Sequence, residues 1–405
     1  MIGSEPAKIS GIPPQHMLRT IVFWLAVVST SAVAFSVALS SITMGLAIGL
    51  WLIGLSLSST RSFVPTPLDL FFVAYVAAEL AVACFSPEPA HSLVNAKRLF
   101  LFSFVYLMIY AVDNRKKLAI TFVTLVAVAA LTSCIEFFSI SLAGGHFLRV
   151  SMFQYFLTEG GIKMIILLVT LPFLFDRRLT GGWRLLTAIA VVSLFLGLVL
   201  TQTRSSWLGL VGGLMTLGLV KDRKILIVLV ILILLFLLFA PSDFRARASS
   251  MFDPSKISNL TRIHMVQTGW KMFLDHPLAG YGDIDLRKYY VTYTVPLDTA
   301  EGGHLHNNIM MLLVTLGIVG FSIVMALFVK IGLIMVDAIR KTRDLVFEGN
   351  LAIGCLCAYI GFHINGLFEW NFGDHEIAVL LWTIVGVSLV ALRAVTIPGW
   401  EGIRD

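Results

Sequence analysis

Charged side chains are scarce in this chain of 405 residues, in which Asp, Glu, Lys and Arg together make up 13%. A typical soluble domain contains roughly 25% of these residues. Hydrophobic residues make up 58%, and a soluble protein of this length has too little interior to hide that much apolar surface from water. The composition therefore excludes the soluble, disordered, fibrous and disulfide-rich secreted classes, and it indicates an all-α membrane protein that crosses the bilayer many times.

Cysteine is also rare, and familiar motifs of metal and nucleotide enzymes are missing. The chain has no glycine loop followed by Lys-Ser/Thr, no serine nucleophile elbow and no His-Glu-x-x-His pair. These gaps remove support for ATP-driven transport and for metalloprotease chemistry. The cysteines lie in apolar stretches without metal-site spacing and are interpreted as small core residues. They are Cys84, Cys134, Cys355 and Cys357.

About twelve apolar stretches approach the length of a transmembrane helix, for which about 20 residues are needed. Nine lie within 1–240 and three within 306–405, and a long polar segment at 241–305 separates the two groups. The sequence thus predicts a transmembrane part, an external loop domain, and a second transmembrane part with a cytoplasmic tail. The predicted spans are 18–38, 41–57, 66–84, 98–112, 118–142, 162–175, 184–201, 206–220, 224–240, 307–330, 350–368 and 376–395.

Lys and Arg are concentrated in every second connection between these spans, at 115–117, 177–184, 221–224 and 340–343. Cytoplasmic loops carry such an excess, so the pattern predicts that both termini are cytoplasmic and that 241–305 lies outside. The net charge of +6 is assigned to this bias and not to a surface for nucleic acid. Several basic residues fall on the outer side against the bias, which indicates another use for them; among them are Lys97, Arg98, Arg149 and Lys163.

The outer segment 241–305 is long enough to be functional, since loops above about 15 residues without obvious structure usually are. Within it, residues 259–274 repeat apolar side chains at helical spacing. The pattern predicts an amphipathic helix that lies on the membrane surface. The repeated side chains are Leu260, Ile263, Val266, Trp270 and Phe273.

Arg204 lies between two apolar stretches, at the start of a predicted helix. An arginine near the bilayer is costly and usually paired or functional, and helix-start amides favour a bound anion. The alternative is that Arg204 is an interfacial anchor beside Trp207.

Arg262, on the amphipathic helix, is a second candidate anion ligand. Its alternative is a solvated or lipid-contacting arginine, and Arg287 and Lys288 compete with it.

Two histidines, His304 and His306, directly precede the tenth predicted span. In an extended backbone they could share a metal with Asp298 or Glu301, although no recognisable metal site is complete. A histidine at a membrane face near fixed arginines fits general-base chemistry better. The alternative is a histidine that helps Asn307 to cap the helix. Residues two apart are not expected to face the same way, so only one histidine is expected to act.

The last outward turn, 365–376, carries two further candidate residues, Glu369 and Asp374. Their carboxylates would orient an arginine or a histidine of the site. The alternative interpretation, that they mark the water boundary of the membrane, fits the sequence equally well.

These residues resemble the O-antigen ligase family of membrane glycosyltransferases, which is related to the O-antigen polymerases. The most specific point is His306-Asn307 followed, after nine residues, by Gly317 and Gly320, which is the ligase pattern. The stretches 203–205, 275–282 and 368–374 are also similar to the family. The resemblance covers roughly 200–395, and the first five spans match in topology only.

The resemblance implies a GT-C-like fold in the bacterial inner membrane with its active site at the periplasmic face. The donor would be a polysaccharide on undecaprenyl diphosphate and the acceptor a sugar of the lipid A core. Transfer would invert the anomeric carbon and need neither metal nor cofactor. His306 would be the base, not His304, and Arg204 and Arg262 would hold the diphosphate. Further candidate substrate contacts are Arg287, Asn307, Glu369 and Asp374.

Three other functions stay open at this point. A polymerase would join one lipid-linked repeat to another, and a protein O-oligosaccharyltransferase would use a pilin as acceptor. A polysaccharide flippase belongs to a different class and would carry charges along a central path. Here the ionisable clusters gather at one face, which favours surface chemistry over passage.

Overall fold

The computed structural model of the chain describes residues 14–57, 63–142, 151–251, 253–294 and 303–396. Asp298, Glu301 and the tail after residue 396 lie outside these ranges, so the predictions about them stay predictions. All regular structure in the described ranges is helical. In chain order the helices are α1 (Pro14–Ala32), α2 (Val37–Leu57), α3 (Asp69–Phe85), α4 (Pro89–Asn95), a 3₁₀ helix (Ala96–Phe102), α5 (Ser103–Ala111), α6 (Arg115–Leu142), α7 (Phe156–Leu174), α8 (Gly181–Leu200), α9 (Arg204–Val220), α10 (Lys224–Phe239), α11 (Ser242–Ser249), α12 (Ile257–Asp275), α13 (Arg287–Tyr293), α14 (Asn308–Lys341), α15 (Val346–Asn365) and α16 (His375–Ala394).

Eight helical stretches in the described part are long and apolar enough to cross a membrane, or nine if α10 and α11, which meet at a bend of 120°, form one broken span. A multi-pass helical membrane protein is confirmed at this level, whereas the number twelve is not. Each predicted span does fall on a helix. However, α3, α9 and α10 have only 17, 17 and 16 residues. At 1.5 Å per residue they reach about 25 Å, short of a hydrocarbon core of about 30 Å.

The centre of the bundle is formed by α7, α15 and α16, whose membrane-length windows are mostly buried inside the protein. Glycines let these helices and α9 approach closely, because a side chain there would collide with a neighbouring backbone. A Cβ atom at Gly354 would lie 2.4 Å from the carbonyl oxygen of Val169, and one at Gly209 would lie 2.7 Å from that of Gly361. The starts of α7 and α9 are thereby held beside the end of α15.

Helix α14 is broken at Gly317, and the backbone of the segment 277–282 inserts into the break. Ile318 donates its N–H to the carbonyl of Pro277 (2.7 Å), while the carbonyl of Val314 accepts from the N–H of Tyr281 (2.8 Å). The helical bond between Ile318 and Val314 is thus replaced by two bonds to the loop. Gly317 has φ 61° and ψ −174°, a conformation essentially reserved for glycine. Gly317 thereby admits the backbone of this loop segment into the helix.

After α10 the chain forms α11, α12 and α13, which make a small helical cap on one end of the bundle. That end of the bundle is hereafter called the loop end. The helix predicted at 259–274 is found as α12, which packs against α14 where Gly269 meets Met310. Phe273 turns inward with Met272. The other side chains of the predicted apolar face are 37–48% exposed and form an outward stripe. A contact of this stripe with the membrane surface stays a prediction.

Candidate active site

Arg204 is the first residue of α9, at a tight corner after α8. The corner is fixed by Thr203, whose hydroxyl donates to the carbonyl of Phe156 at 2.8 Å. The Arg204 side chain is buried, with 6% of the residue exposed. Its Nη1 donates to the carbonyl and hydroxyl of Ser250 (2.8 and 3.0 Å), and its Nη2 donates to the Ser258 hydroxyl (2.9 Å). Arg204 therefore binds the helical cap, and this placement differs from that of an interfacial anchor.

A cavity of about 120 Å³ opens beside Arg204, hereafter the arginine cavity. Its walls bring three guanidinium groups together with a single carboxylate, so the lining carries an excess of positive charge. Opposite charges gain most where water is partly excluded, which makes the cavity suited to a polyanion. The lining residues are Leu157, Arg204, Ser205, Arg247, Ser258, Arg262 and Glu369.

Glu369 connects the arginines to the histidine. Its carboxylate, with a side chain only 7% exposed, forms an ion pair with Arg262 through Oε1. Oε1 also lies 3.4 Å from the Ser205 hydroxyl. The other oxygen, Oε2, lies 2.8 Å from Nδ1 of His306. A buried carboxylate is stable only when it is paired and hydrogen-bonded, and Glu369 meets both conditions.

His306 is held in an uncommon backbone conformation directly before α14. Its φ is +44°, a value that few residues other than glycine adopt and that tends to occur at functional sites. The carboxylate of Glu369 favours a proton on Nδ1, which leaves the lone pair of a neutral imidazole on Nε2. This arrangement can accept a proton at Nε2, and Glu369 would stabilise the imidazolium that forms.

A second cavity of about 260 Å³ adjoins the arginine cavity and shares Leu157 and Glu369 with it. Both His304 and His306 line it, and their ring centroids are 4.3 Å apart. The expectation that the two histidines face different ways is therefore wrong, since the positive φ of His306 turns its ring back towards His304. The other lining residues are Tyr155, Leu157, Thr158, Asn365, Glu369, Trp370, Asn371, Gly373, Asp374 and Ile377.

Asparagine side chains fasten the turn that carries Glu369. Asn308 donates to the side-chain oxygen of Asn371 (2.5 Å), Asn371 donates to that of Asn365 (2.9 Å), and Asn365 donates to the Ser206 hydroxyl (2.9 Å). The chain of bonds joins the starts of α9 and α14 to the end of α15. Buried networks of this kind rigidify a structure when every member is satisfied, and this one fixes where Glu369 lies.

The remaining predicted site residues are Asn307, Arg287 and Asp374, and of these only Asp374 lines a cavity. Asn307 caps α14 by accepting from the N–H of Met310 (2.9 Å) and donates to the carbonyl of Leu367 (2.8 Å). Arg287 forms an ion pair with Asp285 on the surface, where its side chain is 62% exposed, and lines neither cavity. Asp374 lines the second cavity, where its carboxylate accepts from the Thr158 hydroxyl.

Several residues in and around the arginine cavity were not predicted from the sequence. Arg247, in α11, donates to the carbonyl of Gln202 (3.1 Å) and supplies the third guanidinium group. The sequence feature that could have identified Arg247 is an arginine in a short polar segment directly after an apolar run. Ser250 and Ser258 hold Arg204 but lie in ordinary polar sequence. No local pattern distinguishes such residues, because their role arises only when the cap folds back onto α9.

Among the described residues, no three His, Cys, Asp or Glu side chains are arranged to hold a metal ion. The two predicted companions of the histidines, Asp298 and Glu301, lie outside the described ranges. Asp283 and Asp285 stand two residues apart, but each pairs with a separate arginine, Arg98 and Arg287 respectively.

Residues 188–325 match the sequence model of the O-antigen ligase family, which confirms the resemblance drawn from His306, Asn307 and the two glycines. The match covers about a third of the chain and includes Arg204 and Arg262, whereas Glu369 lies beyond it. No curated protein matches the chain. The family supports an enzyme of the ligase or polymerase type that acts on lipid-linked polysaccharide in a membrane.

Proposed function

We propose, from the premise that this chain carries an O-antigen ligase domain, that it transfers polysaccharide from undecaprenyl diphosphate to a sugar hydroxyl of the lipid A core. The observation that carries the proposal is the position of Glu369. Its carboxylate contacts both Arg262 and His306, and so joins a polyanion cavity to a candidate general base. A transfer reaction with a diphosphate leaving group needs these two functions side by side.

The arginine cavity is assigned to the diphosphate of the donor. The leaving group develops negative charge as its bond to the sugar breaks, and paired arginines neutralise that charge through fixed hydrogen bonds. Arg204, Arg247 and Arg262 line one small space, so three guanidinium groups are available without a divalent ion. The reaction is therefore proposed to be metal-independent.

The second cavity is assigned to the acceptor sugar, with His306 as the base. The acceptor hydroxyl oxygen attacks the anomeric carbon while its proton passes to Nε2 of His306. The bond from the anomeric carbon to the phosphate oxygen breaks, and its electron pair leaves with the diphosphate. A single displacement from the face opposite the phosphate inverts the configuration. Asp374 and Trp370 supply polar and aromatic walls for a sugar ring.

The proposed location is the bacterial inner membrane, with the loop end in the periplasm. Lys221 contacts Asn350, and Asn350 donates to Asp176, so the basic connections 177–184, 221–224 and 340–343 gather at the end opposite the cavities. Positive charge retained on the cytoplasmic side would leave the cavities facing outwards. Donor and acceptor would then both be reached at that face.

The decisive experiment is the polysaccharide profile of a deletion strain. Loss of long chains from lipopolysaccharide, with accumulation of the same chains on the lipid carrier, is the expected result. A single repeat attached to the core would point instead to the polymerase reaction, in which the acceptor is another lipid-linked repeat. Unchanged lipopolysaccharide with an unglycosylated pilin would point to a protein acceptor.

A further inference from the structure

Arg98 lies outside the two cavities, yet it connects three separate parts of the loop end. It belongs to the 3₁₀ helix, and its Nη2 lies 3.1 Å from Oδ2 of Asp283 and 3.5 Å from Oε1 of Glu79. Asp283 directly follows the segment that inserts into α14, and Glu79 is a buried residue of α3. One guanidinium group thus bridges the first half of the bundle and the helical cap.

The third partner of Arg98 is Trp370, the neighbour of Glu369. The guanidinium carbon lies 5.6 Å from the centre of the Trp370 ring, within the range of a cation–π contact. The Trp370 ring also packs closely against Gly373, because a Cβ atom at that glycine would lie 2.0 Å from the ring Nε1. Trp370 lines the second cavity, so the orientation of its ring shapes one cavity wall.

We propose that Arg98 is a positioning residue that holds Trp370 as a binding platform for the acceptor sugar. This proposal rests on the proposed function of the second cavity. The C–H groups of a sugar ring pack against the electron-rich face of an indole, so a Trp ring fixed at the wall favours one acceptor orientation. Arg98 acts through Trp370 and does not contact the substrate.

The competing explanation is that Arg98 merely neutralises two buried carboxylates. A double-mutant cycle separates the two roles, because residues that act through one contact give non-additive losses. The variants are Arg98→Gln, Trp370→Ala and the pair together. Lys97→Gln is the matched control, since Lys97 is an exposed neighbour on the same 3₁₀ helix. Arg98→Lys keeps the charge near Asp283 and loses the planar group over the ring.

The first measurement is kcat and KM for acceptor and donor separately. Arg98→Gln is expected to raise the acceptor KM on the order of 10-fold and to leave the donor KM near its original value. In the Trp370→Ala background, Arg98→Gln should raise the acceptor KM by less than about a further 2-fold. Arg98→Lys should recover only part of the loss. Full additivity, or equal increases in both KM values, would show a general structural role and overturn the proposal.

The second measurement needs no substrate and therefore separates this proposal from the proposed function. Amide hydrogen exchange of residues 366–374 is compared between Arg98→Gln and Lys97→Gln in the full chain. Faster exchange in Arg98→Gln alone is expected, even if the wild type transfers nothing to a lipid A core. Identical exchange in the two variants would overturn the positioning role whatever reaction the enzyme catalyses.

Discussion

At the scale of single residues, the contacts of Glu369 favour His306 over His304 as the proposed base. Glu369 bonds to His306, whereas His304, within the described part of the chain, lines the second cavity beside the His306 ring without a hydrogen bond to Glu369. The pKa of His304 is lowered, first by loss of surrounding water and then by the neighbouring His306. A histidine with a lowered pKa is neutral at neutral pH, so His304 adds no competing positive charge beside the proposed base.

Replacing His306 by Ala is expected to abolish transfer and to preserve donor binding, because a positioned base contributes about 10²–10⁴ in rate while the arginines stay in place. His304→Ala should lose far less of the transfer rate, since the His304 side chain lacks the contact with Glu369 that His306 makes. Turnover and donor affinity would be measured for both variants at matched expression. If His306→Ala lost donor affinity instead, His306 would be better assigned as a diphosphate ligand.

Replacing Arg204 by Ala is expected to cost transfer about 10- to 150-fold, the equivalent of one charge-assisted contact of about 1.5–3 kcal/mol. Arg204→Lys should recover little, because two different guanidinium nitrogens contact Ser250 and Ser258 and a single ammonium lacks that fork. Arg287→Ala, which alters a surface pair outside both cavities, is the comparison in the same transfer assay. Near-normal activity of Arg204→Ala would remove Arg204 from the site.

At the scale of helices, the sequence predicted where most apolar stretches become helices and which polar residues gather at the loop end. Arg204 and His306 were singled out because costly or specific residue types stood at helix starts, and Arg262 because it lies on the amphipathic helix of the long loop. Arg247 and Trp370 escaped detection as site residues. Their contribution depends on contacts between parts of the chain more than a hundred residues apart in sequence, such as α11 and the turn at 365–376. Local spacing contains no information about such contacts.

The break in α14 gives a prediction for this scale. Gly317→Ala is expected to destabilise the protein by about 1–3 kcal/mol, because alanine strains the backbone at this φ and ψ, and its Cβ would lie 2.3 Å from the carbonyl oxygen of Leu278. Gly332→Ala on the same helix meets only an ordinary contact with Tyr359 at 3.7 Å and should be tolerated. The temperature of half-inactivation in detergent compares the two. Equal temperatures would refute the broken-helix geometry.

At the scale of the whole molecule, the arrangement of charge predicts how transfer depends on metal ions. The three arginines of one cavity are expected to stabilise the diphosphate alone, so purified enzyme should retain transfer in excess EDTA. Loss of activity that Mg²⁺ or Mn²⁺ restores would reject this account of the leaving group. Wild-type enzyme assayed without chelator in the same detergent is the control.

The orientation of the molecule in the membrane is a separate prediction at this scale. Single cysteines placed at Trp270 on α12 and at Lys341 at the far end of α14 should differ in their accessibility to a membrane-impermeant thiol reagent. Trp270→Cys is expected to be labelled from the periplasm and Lys341→Cys only after the membrane is opened. Labelling of Trp270→Cys from the cytoplasm alone would overturn the location proposed for both cavities.

The break in α14 also has a consequence for folding during synthesis, because the segments that meet at the break leave the ribosome at different times. The segment 277–282 is synthesised before Val314 and Ile318, its partners in α14, and Glu369 emerges later still. Non-helical backbone is tolerated at membrane depth only when protein surrounds it, so α14 completes its bonding only after the earlier loop folds back on it. Nascent chains that stop before Glu369 therefore lack the carboxylate that contacts the proposed base His306, and the proposed transfer activity is expected only once the turn at 365–376 has been synthesised.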